Sequence, residues 1–205
     1  MRLRERLGGV LRPLGAGFDR PWNLDELRDL LPEVEALRPA AVLVPLLPTA
    51  EEAELLLIRR TDTLPTHPGQ FALPGGSIEP GDAGPEAAAL REAAEELGCA
   101  PGDFEPLGLL SSLVTVSAYR ILPVVAIANG PLSLRPDPKE VAEVFRVPLE
   151  FFLDPGRLSV ERLSHRGRER RVLAYHWAGR RIWGATAAIL VDLARRLAPM
   201  RDWPC

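Results

Sequence analysis

Lysine is almost missing from this chain. Lys139 is the single one among 25 basic residues, and arginine supplies the others. Scarce lysine beside abundant arginine and alanine reads as compositional bias of the coding sequence rather than as function. Cysteine is scarce as well. Cys99 and Cys205 alone cannot build a disulfide framework, so a reducing, cytoplasmic setting is expected. Long apolar runs are absent: stretches such as "AAVLVPLL" fall far short of the roughly 20 residues that a membrane helix needs. Nothing resembles a secretory signal, and no membrane partner is expected. A strong charge of one sign is lacking too, and the net charge of -3 gives no general pull towards nucleic acid. Repeats and low-complexity tracts are also missing. What is present is a chain of 205 residues, 46% hydrophobic and 26% charged, enough for one well-filled domain with an appendage.

Residues 1–37 read as an N-terminal helical extension. In "NLDELRDLLPEVEAL", Asn23 or Asp25 is a candidate cap, and Leu24, Leu27, Leu30 and Leu31 recur at helical spacing. Strands are expected over 40–48 and 53–60, whose continuous apolar runs suit burial on both faces. Residues 61–85 are a long loop rich in Gly, Pro, Thr and Asp. A helix follows from Pro85 to Leu97, with Leu90, Ala93, Ala94 and Leu97 as its apolar stripe and Gly98 as its stop. "PLGLLSSLVT" and "YRILPVVAIA" read as strands, and "EVFRVPLEFFLD" as a strand leading into a short helix. A hairpin with its turn near Gly167 and a closing helix over 184–197 complete the pattern. Strands and helices interleave, which predicts an α/β architecture, a mixed sheet covered by helices.

The chemistry concentrates in "REAAEELG", residues 91–98. On a helix, Glu92, Glu95 and Glu96 fall at i, i+3 and i+4 and share roughly a 100° arc. Like charges so spaced repel by a few tenths of a kcal/mol per pair. A divalent cation turns that repulsion into coordination, because Mg²⁺ prefers hard carboxylate oxygens. Taken alone, the same residues equally describe a solvated acidic face with an ordinary Arg91–Glu95 pair. Upstream, "LPGGSIEPGD" supplies Gly75 and Gly76, where backbone can approach a metal or phosphate closely, and a further acid, Asp82.

Together these residues resemble the Nudix box, G-x5-E-x7-R-E-U-x-E-E-x-G-U with U apolar. Gly76, Arg91, Glu92, Ala93, Glu95, Glu96, Gly98 and Cys99 match in order. Asp82 stands where the pattern has Glu, and the spacer to Arg91 is one residue longer. The coenzyme A pyrophosphatase branch of the superfamily tolerates that spacer, and it carries an upstream signature L-L-T-x-R-[SA]-x3-R-x3-G-x3-F-P-G-G. "LLIRRTDTLPTHPGQFALPGG" supplies Leu56, Leu57, Arg60, Gly69, Pro74, Gly75 and Gly76 in register. It departs from the signature at Ile58, Thr61, Pro65 and Leu73. Pro65 stands in place of an arginine and leaves the substrate open.

The resemblance implies an α/β/α sandwich around a central mixed sheet, formed by residues 38–200. It implies a cytoplasmic, Mg²⁺- or Mn²⁺-dependent pyrophosphohydrolase, and a homodimer is a family expectation. Coenzyme A or its derivatives would give 3′,5′-ADP and 4′-phosphopantetheine; ADP-ribose, NADH or nucleoside triphosphates are the rival substrates. Glu92, Glu95 and Glu96 would hold metal, with a Gly75 or Gly76 carbonyl completing the shell. Arg91 would orient a glutamate. The base would come from Glu140, with Glu143 close behind, or from Glu92 itself. Arg60, His67, Gly75 and Gly76 would meet the substrate. "HRGRERR" (165–171) is either a phosphate contact or a solvated hairpin turn, and Trp183 is a packing residue rather than a stacking platform. Ser111, Ser112 and Ser117 lack the partners of a serine nucleophile. A non-catalytic nucleotide sensor would be expected to have lost helix glutamates, and this chain keeps all three.

Overall fold

The computed structural model describes residues 3–50, 52–100, 102–165 and 167–203, except for the side chains of His165 and Arg168. Its first 37 residues hold little regular structure: α1 (Leu3–Gly8), α2 (Leu24–Leu27) and a 3₁₀ turn at Val34–Ala36. The long helix expected after Asn23 therefore ends within one turn. Pro32 explains this, because its ring displaces the carbonyl four residues back and turns Leu31 away from helical geometry. Asn23 does not cap α2. Its amide instead donates to the Val114 carbonyl, and its carbonyl accepts from the Val114 N–H, both at 2.8 Å.

The central sheet is built from β1 (Arg38–Pro48), β2 (Ala53–Arg60), β3 (Phe71–Ala72), β4 (Gly75–Ser77), β5 (Phe104–Leu109), β6 (Leu113–Val114), β7 (Tyr119–Ala128) and β8 (Val141–Pro148). β1 and β7 run parallel, and every other pairing in this sheet is antiparallel. The sheet is therefore mixed, as the interleaved pattern predicts. The expected strand over "PLGLLSSLVT" is two strands, because side chains replace its ladder partners at the break. Asp192 accepts from the Ser111 N–H at 2.9 Å, and Asp19 accepts from the Ser112 N–H at 2.7 Å.

Alternation along the strands divides the core. Leu43, Leu56, Ile58, Leu122 and Val124 face α3 (Pro85–Leu97) on one side. Val44, Leu46, Leu55, Leu57 and Val125 face the other side. That second face is covered by α4 (Leu149–Leu153), α5 (Ala185–Leu197) and a smaller sheet of β9 (Leu158–His165), β10 (Arg168–Trp177) and β11 (Arg180–Trp183). The result is an α/β/α sandwich. The N-terminal segment is tied to it: Leu7 is fully buried in the core, and Arg12 and Leu109 exchange backbone hydrogen bonds at 2.9 Å. No helix among the described residues is long and apolar enough to cross a membrane. Cys99 is buried and unbridged, and Cys205 lies outside the described residues.

Candidate active site

Helix α3 starts at Pro85, whose missing N–H costs nothing at that position, and it stops at Gly98. Ala88, Ala89, Ala93 and Leu97 are fully buried against the sheet, and the alanines let the helix approach closely. Gly98 takes the left-handed conformation, φ 63°, and its N–H donates to the Ala94 carbonyl at 2.9 Å. The last carbonyls of the helix are met by a neighbouring segment: Leu97 accepts from the Arg135 N–H and Glu96 from the Asp137 N–H. That segment runs on to Glu140, whose carbonyl accepts from the Thr61 N–H at 2.9 Å.

Fixed this way, α3 turns Glu92 and Glu96 towards Gly75 and Gly76 of β4. Glu96 is 2% exposed. It accepts from the Gly75 N–H at 2.9 Å and pairs with the Arg60 guanidinium at 3.4 Å. Gly75 has φ 151°, and a Cβ there would stand 2.5 Å from the Ala41 carbonyl oxygen. A Cβ on Gly76 would stand 2.5 Å from the Glu92 carboxylate. Both glycines are thus required by close approach: one to the strand beneath, the other to an acid.

Arg91 links the acids. It donates to both Asp82 oxygens at 3.0 Å, to Glu92 at 2.9 Å, to Glu95 at 3.2 Å and to the Ser77 carbonyl at 3.0 Å. Asp82 also accepts from the Glu79 N–H, so it closes its own loop while holding Arg91. The arrangement brings together Glu92, Glu96, Gly75, Gly76, Arg60 and Arg91. Glu140 is exposed, and its charge acts on both Glu92 and Glu96. Glu95 is exposed and turned to Arg91, and Glu143 is ion-paired with Arg180.

Arg60, His67, Gly75 and Gly76 line one end of a cleft of about 460 Å³. Its other walls were not legible as site residues: Trp22, Leu27, Val116 and Tyr119 come from segments with no motif of their own. Trp183 also lines it, with Arg181 stacked 4.4 Å from the ring centroid. An aromatic directly before the last helix was its only signal. In the hairpin, Arg166 and the side chains of His165 and Arg168 lie outside the described residues, while Arg171 lines the cleft. Ser112 is fully buried and bonded to Asp19.

A sandwich whose helical acids face a Gly-Gly strand defines a class, and sequence comparison agrees with it. Residues 37–173 match the family model of the NUDIX domain. Over 160 residues the chain is 39% identical to an uncharacterized Nudix hydrolase, NudL, of Photorhabdus laumondii, covering 78% of this chain and 85% of that protein. It is 36% identical over 190 residues to NudL of Klebsiella pneumoniae, covering 87% and 97%. A crystal structure of a Nudix hydrolase from M. smegmatis, RenU, is 26% identical with a TM-score of 0.47, covering 56% of this chain and 72% of that one. The chain belongs to the Nudix hydrolase family, a family of pyrophosphohydrolases that use divalent cations.

The donor set suits such a cation. Burial pushes the Glu96 carboxyl up to about 8, and the negative charges of Glu92 and Glu140 add to it against the pull of Gly75 and Arg60. Burial also raises Glu92, with the charges of Glu95 and Glu140 adding and Arg91 opposing. Two adjacent carboxylates that resist ionisation are relieved by a hard dication. Among the described residues no three His, Cys, Asp or Glu groups form a finished cage, so water and substrate oxygens would complete the shell.

A pH dependence follows for the protein held in chelator. Glu96 keeps its proton in the folded state up to about 8, whereas the unfolded chain releases it near 4.5. Between those values the folded state binds more protons, so this group's contribution to stability falls as pH rises through the window. Denaturant unfolding in EDTA at pH 5, 7 and 9 should reveal the fall. Its difference from the same series on Glu96→Gln isolates the residue.

Proposed function

We propose that the chain hydrolyses the diphosphate of coenzyme A or its derivatives with Mg²⁺ or Mn²⁺, giving 3′,5′-ADP and 4′-phosphopantetheine. The observation that carries this reading is the convergence of Glu92 and Glu96 on Gly75 and Gly76 of β4 beside Arg60. Glu92 and Glu96 would hold the cation, with Glu95 as a further ligand, directly or through water. A cation held there would supply positive charge for the diphosphate and lower the pKa of a water. Arg91 fixes the Glu92 and Glu95 carboxylates and does not itself meet the substrate. Arg60 and His67 line the cleft where the diphosphate would lie. Glu140, exposed beside the acids and joined to the Thr61 backbone, accepts the proton of the attacking water. Water oxygen bonds to one phosphorus as the bridging P–O bond breaks, and each product leaves with a terminal phosphate.

Support for coenzyme A comes from the seven retained positions of the upstream signature. Three of them have a physical reason: Gly75 and Gly76 by the close approaches given above, and Gly69 because its φ is 66° and a Cβ there would stand 2.5 Å from the Asp62 carboxylate. Pro65, in place of an arginine, favours the rival substrates ADP-ribose, NADH and nucleoside triphosphates. A panel of these with coenzyme A, assayed with each metal, decides the matter. Under the proposal coenzyme A or an acyl derivative has the highest kcat/KM. Fast cleavage of ADP-ribose with coenzyme A left intact favours the rival.

A further inference from the structure

The cleft starts at Arg60, Gly75 and Gly76, which touch the acids, and its far walls carry large apolar side chains between polar ones such as Thr115, Ser117 and Arg171. Trp22 and Val116 are 39% and 45% exposed, and both line it. They are two of only four large hydrophobic side chains so exposed among the described residues. Their exposure is held in place rather than incidental. The Trp22 N–H donates to the Ser112 carbonyl at 3.1 Å. The next residue, Asn23, is locked by two hydrogen bonds to Val114. On the opposite wall stand Leu173 and Trp183, from the smaller sheet. Arg170 of that sheet bonds to the Glu26 carbonyl and to Asp29, so the two walls are tied to one another.

We propose that this apolar end, with Trp22, Leu27, Val116, Leu173 and Trp183, is a subsite for an aliphatic chain on the non-nucleotide arm of the substrate. It makes the N-terminal segment a specificity element. The proposal rests on the diphosphate-hydrolase reading above. Three features favour this occupant over a separate ligand. The subsite is continuous with Arg60 and with Gly75 and Gly76 of β4. The volume of the whole cleft, about 460 Å³, is that of a small-molecule site. Its aliphatic members, Leu27, Val116 and Leu173, offer no hydrogen bond to a base or sugar, whereas water-exposed apolar side chains gain from covering by a chain.

The test uses the full chain and a series of coenzyme A thioesters: the free thiol, then acetyl, hexanoyl and dodecanoyl forms. In wild type, KM should fall with chain length by up to roughly fourfold per methylene that enters the subsite, with kcat little changed. Trp22→Ala and Val116→Ser alter exposed side chains and should fold. Both should flatten the dependence of KM on chain length. A KM independent of chain length in wild type overturns the proposal. So does a Trp22→Ala variant that raises KM equally for every member, since Trp22 would then stack on the shared base. Cleavage confined to ADP-ribose or nucleoside triphosphates, which carry no such chain, overturns it as well. The same series titrated calorimetrically in EDTA reads the subsite apart from the chemistry. Affinity rising with chain length there, without turnover under any metal, would sink the hydrolase reading and leave the subsite standing.

Discussion

Glu96→Gln should lower kcat on the best diphosphate substrate by roughly 10²- to 10³-fold or more, at saturating Mg²⁺ or Mn²⁺. The substitution keeps the shape of the side chain and one oxygen for the Gly75 N–H. What it removes is the charge, the part a cation needs and burial opposes. Loss of activity should therefore come without loss of the fold. In EDTA at pH 9 the variant should be at least as stable as wild type, because the ionised carboxylate at 2% exposure is the destabilising partner there. Steady-state assays beside denaturant curves check both halves. Full activity would remove Glu96 from the site, and collapse of the fold would give it a structural role instead.

Gly98→Ala should cost stability rather than chemistry in the first instance. A Cβ at 98 would lie 2.1 Å from the Arg135 carbonyl oxygen, with φ at 63°. Left-handed backbone costs an ordinary residue about 1–2 kcal/mol, and overpacking adds about 1–3. We expect a loss of about 3 kcal/mol or more, lowering Tm by about 6–12 °C for a chain of this size. The Arg135 segment cannot simply move away, because its N–H groups meet the last carbonyls of α3 and it leads on to Glu140. Residual activity should accordingly fall along with the melting temperature. An unchanged Tm by scanning calorimetry would contradict this packing account.

The contrast between these two positions explains how much could be read without coordinates. Glu92, Glu96 and Gly98 belong to one helix and its cap, so their spacing in sequence nearly fixes their spacing in space. Strands β1 and β2 and helices α3 and α5 were legible for the same reason, since each is a local apolar pattern. Pro32 carries a local signal too, a helix breaker inside a leucine pattern. By contrast, nothing in the sequence says that Asn23 bonds to Val114, 91 residues away, instead of capping a helix. Nor could it say that Trp22 and Trp183 share one cleft. Those facts depend on how the N-terminal segment and the smaller sheet dock, and docking leaves no period in the chain. Asp82 lies between the two cases. It departs from the family pattern, yet in three dimensions it accepts two hydrogen bonds from Arg91.

The central claim is that these residues form a divalent-metal centre for the diphosphate of coenzyme A. Its most direct test is the product analysis of coenzyme A incubated with the wild-type protein, in Mg²⁺ and in EDTA. The account predicts equal amounts of 3′,5′-ADP and 4′-phosphopantetheine with Mg²⁺ and none with EDTA. Coenzyme A recovered intact under Mg²⁺ and Mn²⁺, by protein that is shown to be folded, would contradict it.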